Sequence, residues 1–326
     1  MARGIAAVGV AALAGAAFYV NRQVAEAGRA YPPKGAFVTA DGVRLHYVAQ
    51  GKGRPVVFLH GNSMMVDDFL ISGVLAAAAE NPYRAIAFDR PGFGHSERPR
   101  GTAWTAAAQA ALLARAFTTL GIERPIVVGH SQGAMIALAL ALNHPGQVSG
   151  LVLVSGYYYP TARADVALVS PPAVPILGDL LCYTVVPLLG QAIAPRLFSN
   201  MFSPQPVPAQ FSNQFPIGLM LRPAQIMASS KDANHMIPDA FGMAYRYAGL
   251  SCPVAILTGD ADKVVSPESQ AQELHKAIPG SQLDIFTGTG HMPHHADPAR
   301  VVRSIKFVDR LDRSRTAVRV TVVRSA

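Results

Sequence analysis

Six short runs along this chain are apolar or nearly so from end to end: Val56–Leu59, Ala85–Phe88, Ile126–Val128, Leu151–Val154, Val254–Leu257 and Leu283–Phe286. A strand wetted on one face alternates apolar and polar residues, so runs like these require strands covered on both faces. Helical stretches lie between them, at Val66–Glu80, Thr105–Leu120, Gln132–Asn143, Pro267–Ala277 and Asp297–Leu311. Ser266 before Pro267 and Asp297 before Pro298 supply an N-cap followed by proline at the first helical position. Such alternation predicts an α/β fold: a mostly parallel central sheet with helices on both faces. Ahead of it, Phe37–Ala40 and Val43–Gln50 flank Asp41-Gly42 and read as a hairpin.

The alternation breaks between residues 156 and 250. Twelve of the chain's 25 prolines fall there, and no strand–helix unit repeats. A structureless stretch of that length is improbable in a compact domain, so 156–250 reads as a helical cap inserted into the core, with short helices near Leu177–Leu189 and Phe241–Tyr247. The expected organisation is an N-terminal apolar segment (1–30), a core in two parts (37–155 and 251–312), the cap between them, and a loose basic tail (313–326).

The formal net charge is +8. Residues 1–36 hold +3 of it and residues 313–326 hold +4, leaving +1 for residues 37–312. A nearly neutral body has no basic surplus with which to grip a phosphate backbone, so nucleic acid is not an expected partner. Residues 4–20 carry no charge, and as a helix they span about 25 Å at 1.5 Å per residue, slightly under a bilayer core. The run reads first as an uncleaved membrane anchor holding the chain by one N-terminal segment. The alternatives are a signal peptide cleaved near Ala14-Gly15-Ala16, with export, and an ordinary buried helix. The side of the membrane stays open, as does the oligomeric state. Cys182 and Cys252 form neither a disulfide framework nor a zinc pattern.

Chemistry concentrates at Ile126-Val127-Val128-Gly129-His130-Ser131-Gln132-Gly133: a strand, then G-x-S-x-G, then a helix. A sharp turn at this point forces Ser131 into a strained backbone and projects its hydroxyl above the sheet. The glycines keep side chains out of the strand–helix contact. Serine needs a base to become a nucleophile, and after Val254–Leu257 two acids compete, Asp260 and Asp262. Here the chain resembles the α/β-hydrolase family, whose acid loop commonly reads G-x-x-D-x-x-V. Gly259, Asp262 and Val265 match, so the resemblance implies Asp262 as the acid and leaves Asp260 to stabilise the turn. The family's histidine usually follows glycine directly, which implies His291 after Gly290, with His294 and His295 further along. A metal site on these histidines is disfavoured, because the run lacks the H-E-x-x-H pattern and contains Pro293. The residue after His-Gly and the residue after the nucleophile form the family's oxyanion hole, which implies the backbone N–H groups of Asn62 and Gln132. Asp89-Arg90-Pro91-Gly92-Phe93-Gly94-His95-Ser96 also matches the family and shapes a loop, with Asp89 holding it together. Trp104 reads as packing.

The resemblance covers about residues 37–312 and implies a serine hydrolase that needs no cofactor or metal. His291 would take the Ser131 proton, Asp262 would orient the imidazole, and the Asn62 and Gln132 N–H groups would hold the oxyanion of an acyl transfer. The cap's Leu, Phe, Met and Pro suit an apolar ester, of the monoacylglycerol type. Carbon–carbon bond hydrolysis and cofactor-free perhydrolysis are compatible alternatives, and a ligand-binding module that kept the fold is the alternative of another class.

Overall fold

The computed structural model describes residues 2–162, 170–174 and 176–324, and for residues 2–10 and 316–324 the backbone alone. Its strands fall on the apolar runs: β1 (Ala36–Ala40), β2 (Val43–Gln50), β3 (Arg54–Leu59), β4 (Tyr83–Phe88), β5 (Ile126–His130), β6 (Gly150–Val154), β7 (Val254–Gly259) and β8 (Gln282–Phe286). Among the described residues they form one sheet in the order β1-β2-β4-β3-β5-β6-β7-β8. β2 pairs antiparallel with β1 and with β4, and the other pairings are parallel. Asp41 and Gly42 join β1 to β2 with φ of 46° and 75°. Two successive left-handed residues are what a tight hairpin with right-twisted arms demands.

Successive side chains of a strand point to opposite faces, and here both faces are covered. Val57, Leu59, Val127, Leu151, Leu153 and Ile256 pack under one layer, which contains α4 (Ala106–Thr119) and α5 (Gln132–Asn143). Val56, Phe58, Val128, Val152, Val154 and Leu257 pack under the other, with α2 (Val66–Ile71), α3 (Val74–Ala79) and a long C-terminal helix. The continuous apolar runs have this cause: every position of a central strand meets a helix. The stretch expected as one helix over Val66–Glu80 is two, with Gly73 at φ 77° between them.

Between β6 and β7 the described elements are helical: α6 (Leu177–Tyr183), α7 (Val185–Phe202), α8 (Ala209–Gln214), α9 (Ile217–Met220) and α10 (Pro223–Ala244). The short helix expected at Phe241–Tyr247 is mostly the end of the 22-residue α10, and the one at Leu177–Leu189 runs on to Phe202 after a break at Thr184. Pro195 and Pro238 sit inside α7 and α10. A proline removes one hydrogen bond but does not end a helix that packing holds on either side. Beyond the cap come α11 (Glu273–Ala277), preceded by a π-helical turn over Glu268–Gln272, then α12 (Pro293–Ala296) and α13 (Pro298–Arg324). Asp297 Oδ1 accepts from Arg300 N at 2.9 Å, capping α13 as expected.

Both ends depart from the expected organisation. The basic tail is not loose: α13 continues to Arg324, with Arg313 on Asp309 at 2.8 Å and Arg315 on the Ser251 carbonyl at 2.9 Å. The first helix, α1 (Ala2–Ala30), does not stand apart from the fold. Ala27 is buried in one apolar cluster with Phe215, Leu219 and Met220 of the cap. Among the described residues no single helix is long and apolar enough to cross a membrane. Residues 4–10 of the expected anchor lie outside the residues whose side chains are described.

Candidate active site

β5 ends at His130, and the next residue turns the chain into α5. Ser131 has φ 51° and ψ −117°, a strained conformation for a residue with a side chain. The turn is possible because the helix start lies against the sheet. A Cβ on Gly129 would stand 2.5 Å from the Gly133 carbonyl oxygen, and one on Gly133 would stand 2.0 Å from that of Leu59. Neither neighbour is a flexible side chain, so both positions require glycine.

Loops at the C-terminal ends of β7 and β8 bring two further groups to the serine. His291 Nε2 lies 3.0 Å from Ser131 Oγ, and His291 Nδ1 lies 2.7 Å from Asp262 Oδ2. Asp262 Oδ1 accepts from the backbone N–H groups of Val264 and Val265 at 2.8 and 2.9 Å. These bonds fix the carboxylate so that one oxygen faces the imidazole. The cap holds the histidine from behind, since His291 N donates to the Met201 carbonyl at the end of α7, 2.8 Å away. Asp260 lies elsewhere: its carboxylate accepts from Gly288 N at 2.7 Å and braces the loop after β8.

The loop after β3 lies against the serine, because a Cβ on Gly61 would stand 3.1 Å from Ser131 Cβ. Asn62 follows. Its side chain is tied, donating to the Ser229 carbonyl of α10 at 3.0 Å and accepting from Ser63 N at 3.0 Å. Among the described residues, no backbone acceptor takes the N–H of Asn62 or of Gln132. Gln132 opens α5, where a helix has no internal partner for its N–H groups.

A set of buried polar residues that sequence reasoning missed surrounds these groups. Asp68 of α2 accepts from His294 Nε2 at 3.0 Å and from His295 Nε2 at 2.7 Å, both on α12 just past the histidine loop. Burial opposes a charged Asp68, yet its two imidazole partners hold the carboxyl well below its ordinary range. His130, inside the G-x-S-x-G turn, contacts the carbonyl of His291 through Nε2 at 3.0 Å. Burial and the neighbouring His294 and His291 push His130 well below its ordinary value. Asp68, His130 and His294 bring three ligand-type atoms within 4.8 Å of one another. Both Asp68 oxygens already serve the two histidines, so the cluster reads as a carboxylate–imidazole network rather than a metal centre. Its one sequence signal was the density of histidine in His291-Met292-Pro293-His294-His295.

The second missed residue is Arg90. It is fully buried and pairs with Asp232 of α10, which also takes Arg98 at 2.8 Å. Arg90 donates to the carbonyls of His60 and Gly61 at 3.0 and 3.2 Å, joining the Asn62 loop to the cap. His60 receives Arg90 N at 2.9 Å, and burial lowers its pKa to about 4. Asp89 accepts from Val66 N and His95 N at 2.9 and 3.0 Å and pairs with His46 at 2.7 Å, so it ties its loop to β2 and α2. Trp104 is packed, its indole N–H donating to the Pro99 carbonyl at 3.1 Å.

The alpha/beta hydrolase family model matches residues 56–304, spanning the elbow, both later loops and the cap. The chain belongs to the alpha/beta hydrolase family. An uncharacterised protein of Mycobacterium tuberculosis is 31% identical to this family member over 287 residues, 85% of this chain and 82% of the relative. Haloalkane dehalogenase 2 of the same organism is 31% identical over 130 residues, 40% of this chain and 44% of its own. Among solved structures, an esterase from a Rhodococcus species superposes with a TM-score of 0.64 and 25% identity, covering 84% of this chain and 97% of the esterase. The family and these relatives make a hydrolase acting on a small molecule the general reading of this chain.

Proposed function

We propose that this alpha/beta hydrolase is a serine esterase that cleaves carboxylic esters of apolar substrates through an acyl-enzyme on Ser131. The observation that carries the reading is the unbroken line Asp262–His291–Ser131, with steps of 2.7 and 3.0 Å, ending on a hydroxyl presented by a strained turn. In the reaction, His291 Nε2 takes the hydroxyl proton as Ser131 Oγ attacks the ester carbonyl. Asp262 receives the Nδ1–H and stabilises the imidazolium. The N–H groups of Asn62 and Gln132 donate to the developing oxyanion, a contribution of about 3 kcal/mol for one donor. His291 then protonates the departing alcohol, and water activated by the same imidazole releases the acid. A carboxylate nucleophile, as halide or epoxide chemistry in this fold uses, is disfavoured by serine at the elbow.

An apolar substrate is favoured by the seam between cap and core. Met64, Met65 and Met292 from the core side meet Phe198, Met201 and Phe202 of α7 in one buried cluster. Met292 adjoins His291, and Met64 lies two residues past Asn62. Methionine adapts to irregular apolar shapes, which suits a seam that opens around an acyl chain. We also infer that residues 4–20 hold the chain at a membrane, as their charge-free sequence suggests.

A chain-length series of p-nitrophenyl esters with a fluorophosphonate label tests the chemistry. Wild type is expected to hydrolyse the esters and to be labelled, with both lost in Ser131→Ala and kcat down at least about 10³-fold in His291→Ala. A folded wild type that neither labels nor hydrolyses any ester would leave the binding-module reading in its place.

A further inference from the structure

A surface helix such as α4 buries one face and wets the other, but on the outer side of the cap this division fails. The inward stripe of α7 is ordinary: Pro187, Ala194, Phe198, Met201 and Phe202 are buried. Its outward row, Val185, Leu189, Ile193 and Leu197, recurs every fourth residue and is also apolar, with Leu189 and Ile193 each 54% exposed. Arg196 is the one charged residue in the helix. Apart from the exposed Gln191, Arg196, Ser199 and Asn200, α7 is apolar on its outward side as well as its inward one, and it has protein on one side only.

The surface continues past α7. On α6 and just before it, Leu177, Leu180, Tyr183 and Ile176 are exposed, Ile176 at 85%, while the nearby Asp179 is paired with Arg100 at 2.8 Å. Tyr19 of α1 and Leu188 of α7 line one crevice between the two helices, so the patch passes onto α1. There Phe18 is 74% exposed and Leu13 is exposed too. Both lie in the second half of the charge-free run 4–20. Phe18, Tyr19 and Tyr183 add exposed aromatic rings to this surface, and two exposed arginines lie on the same helices, Arg196 on α7 and Arg22, paired with Glu26 at 2.8 Å, on α1. Exposed apolar chains accompanied by aromatic rings and arginines, continuous with a charge-free segment, are the groups that a face lying on an anionic bilayer presents.

We propose that α6, α7 and the exposed side of α1 form one surface that lies on a lipid bilayer, with its apolar side chains seated at the boundary of headgroups and acyl chains. It rests on the membrane association proposed for residues 4–20 and extends it: the cap itself is a contact, not only the N-terminal segment. The consequence is orientation. The Met- and Phe-lined seam at the inner side of α7 is then held next to the lipid from which an apolar ester would come.

The test uses the full chain with vesicles of phosphatidylcholine and phosphatidylglycerol. An environment-sensitive fluorophore is placed on Leu189→Cys, or for comparison on Lys276→Cys of the core, both in a Cys252→Ser background. The expected result is a blue shift and quenching by brominated acyl chains at 189 and neither at 276. Protein that floats with the vesicles while the 189 signal stays unchanged overturns the cap contact and leaves the N-terminal anchor standing. Protein that does not float overturns both. A blue shift on concentration without vesicles assigns the face to a second copy of this chain and also overturns the proposal. In parallel, Leu189→Glu with Ile193→Glu is expected to lower hydrolysis of vesicle-borne esters about tenfold and leave a short soluble ester unaffected. The fluorescence readings do not depend on hydrolysis, so failure of the esterase reading is seen separately.

Discussion

At φ 51°, Ser131 occupies a conformation that costs a residue with a side chain about 1–3 kcal/mol, and the packing of α5 on β3 and β5 maintains it. That packing rests on single atoms. In Gly133→Ala the new Cβ would lie 2.0 Å from the Leu59 carbonyl oxygen, which the backbone of a central strand cannot yield. The expected loss is about 3 kcal/mol or more, read from urea unfolding, with hydrolysis abolished even in the fraction that folds. Asp68 is a different case, because it touches none of the three groups proposed to react. It clamps His294 and His295 on the helix that follows the His291 loop. Asp68→Asn leaves the buried imidazoles without their charged acceptor, and a loss of about 3 kcal/mol in stability is expected. Its kcat should fall more than its KM changes, since the histidine loop is displaced rather than the substrate seam. The Asp262 side chain, by contrast, faces His291 directly, so Asp262→Asn should reduce kcat by about 10³-fold or more with little change in the urea midpoint.

Among the elements, α10 joins the cap to the face that carries the candidate active site. Asp232 on that helix meets Arg90 and Arg98 from the loop after β4, and the Ser229 carbonyl meets Asn62. A buried ion pair contributes little compared with apolar packing, but removing one partner leaves a charge without water or counter-ion. Asp232→Leu is therefore expected to cost about 3–5 kcal/mol, and Asp232→Leu with Arg90→Met to recover part of it, measured as a double-mutant cycle in urea. The Arg98 guanidinium, also paired with Asp232, would keep that recovery from being complete. The same element shows where reading by eye stops short. The short helix read at Phe241–Tyr247 is the end of a longer one, for α10 passes through Pro238 from Pro223 to Ala244. The flanking turns are held by burial of Ala233, Met236, Ala240 and Met243 against the core, contacts that no local pattern announces.

The whole molecule carries an acid sensitivity that follows from its buried histidines. His60 titrates near pH 4 in the fold against 6.5 unfolded, because burial penalises its charged form, and His130 and His294 are lowered for the same first reason. Between those values the unfolded chain binds protons that the folded chain does not, so stability is present above about pH 6.5 and is lost as the pH falls toward 4. His60 alone accounts for on the order of 3 kcal/mol by that linkage. Below that range Asp68 and Asp89, held low by their histidine partners despite burial, lose their own contributions as they protonate. Urea midpoints measured from neutral pH down to about pH 4 should fall steadily, and a His60→Gln variant should flatten the upper part of that fall. By itself the sequence determined the sheet, because strands covered on both faces must be apolar throughout. It also determined the glycines at the elbow, because a turn that tight admits few residue types, whereas Asp262 rather than Asp260, and His291, were implied only by the resemblance to the family. Tertiary structure alone decided that Asp68 serves His294 and His295, that Arg90 finds Asp232 142 residues away, and that Ala27 of α1 and Arg315 near the end of the chain meet the body of the fold. Those pairings bring together residues far apart in the chain, and nothing in either partner's neighbours along the sequence records which distant group folding will place beside it.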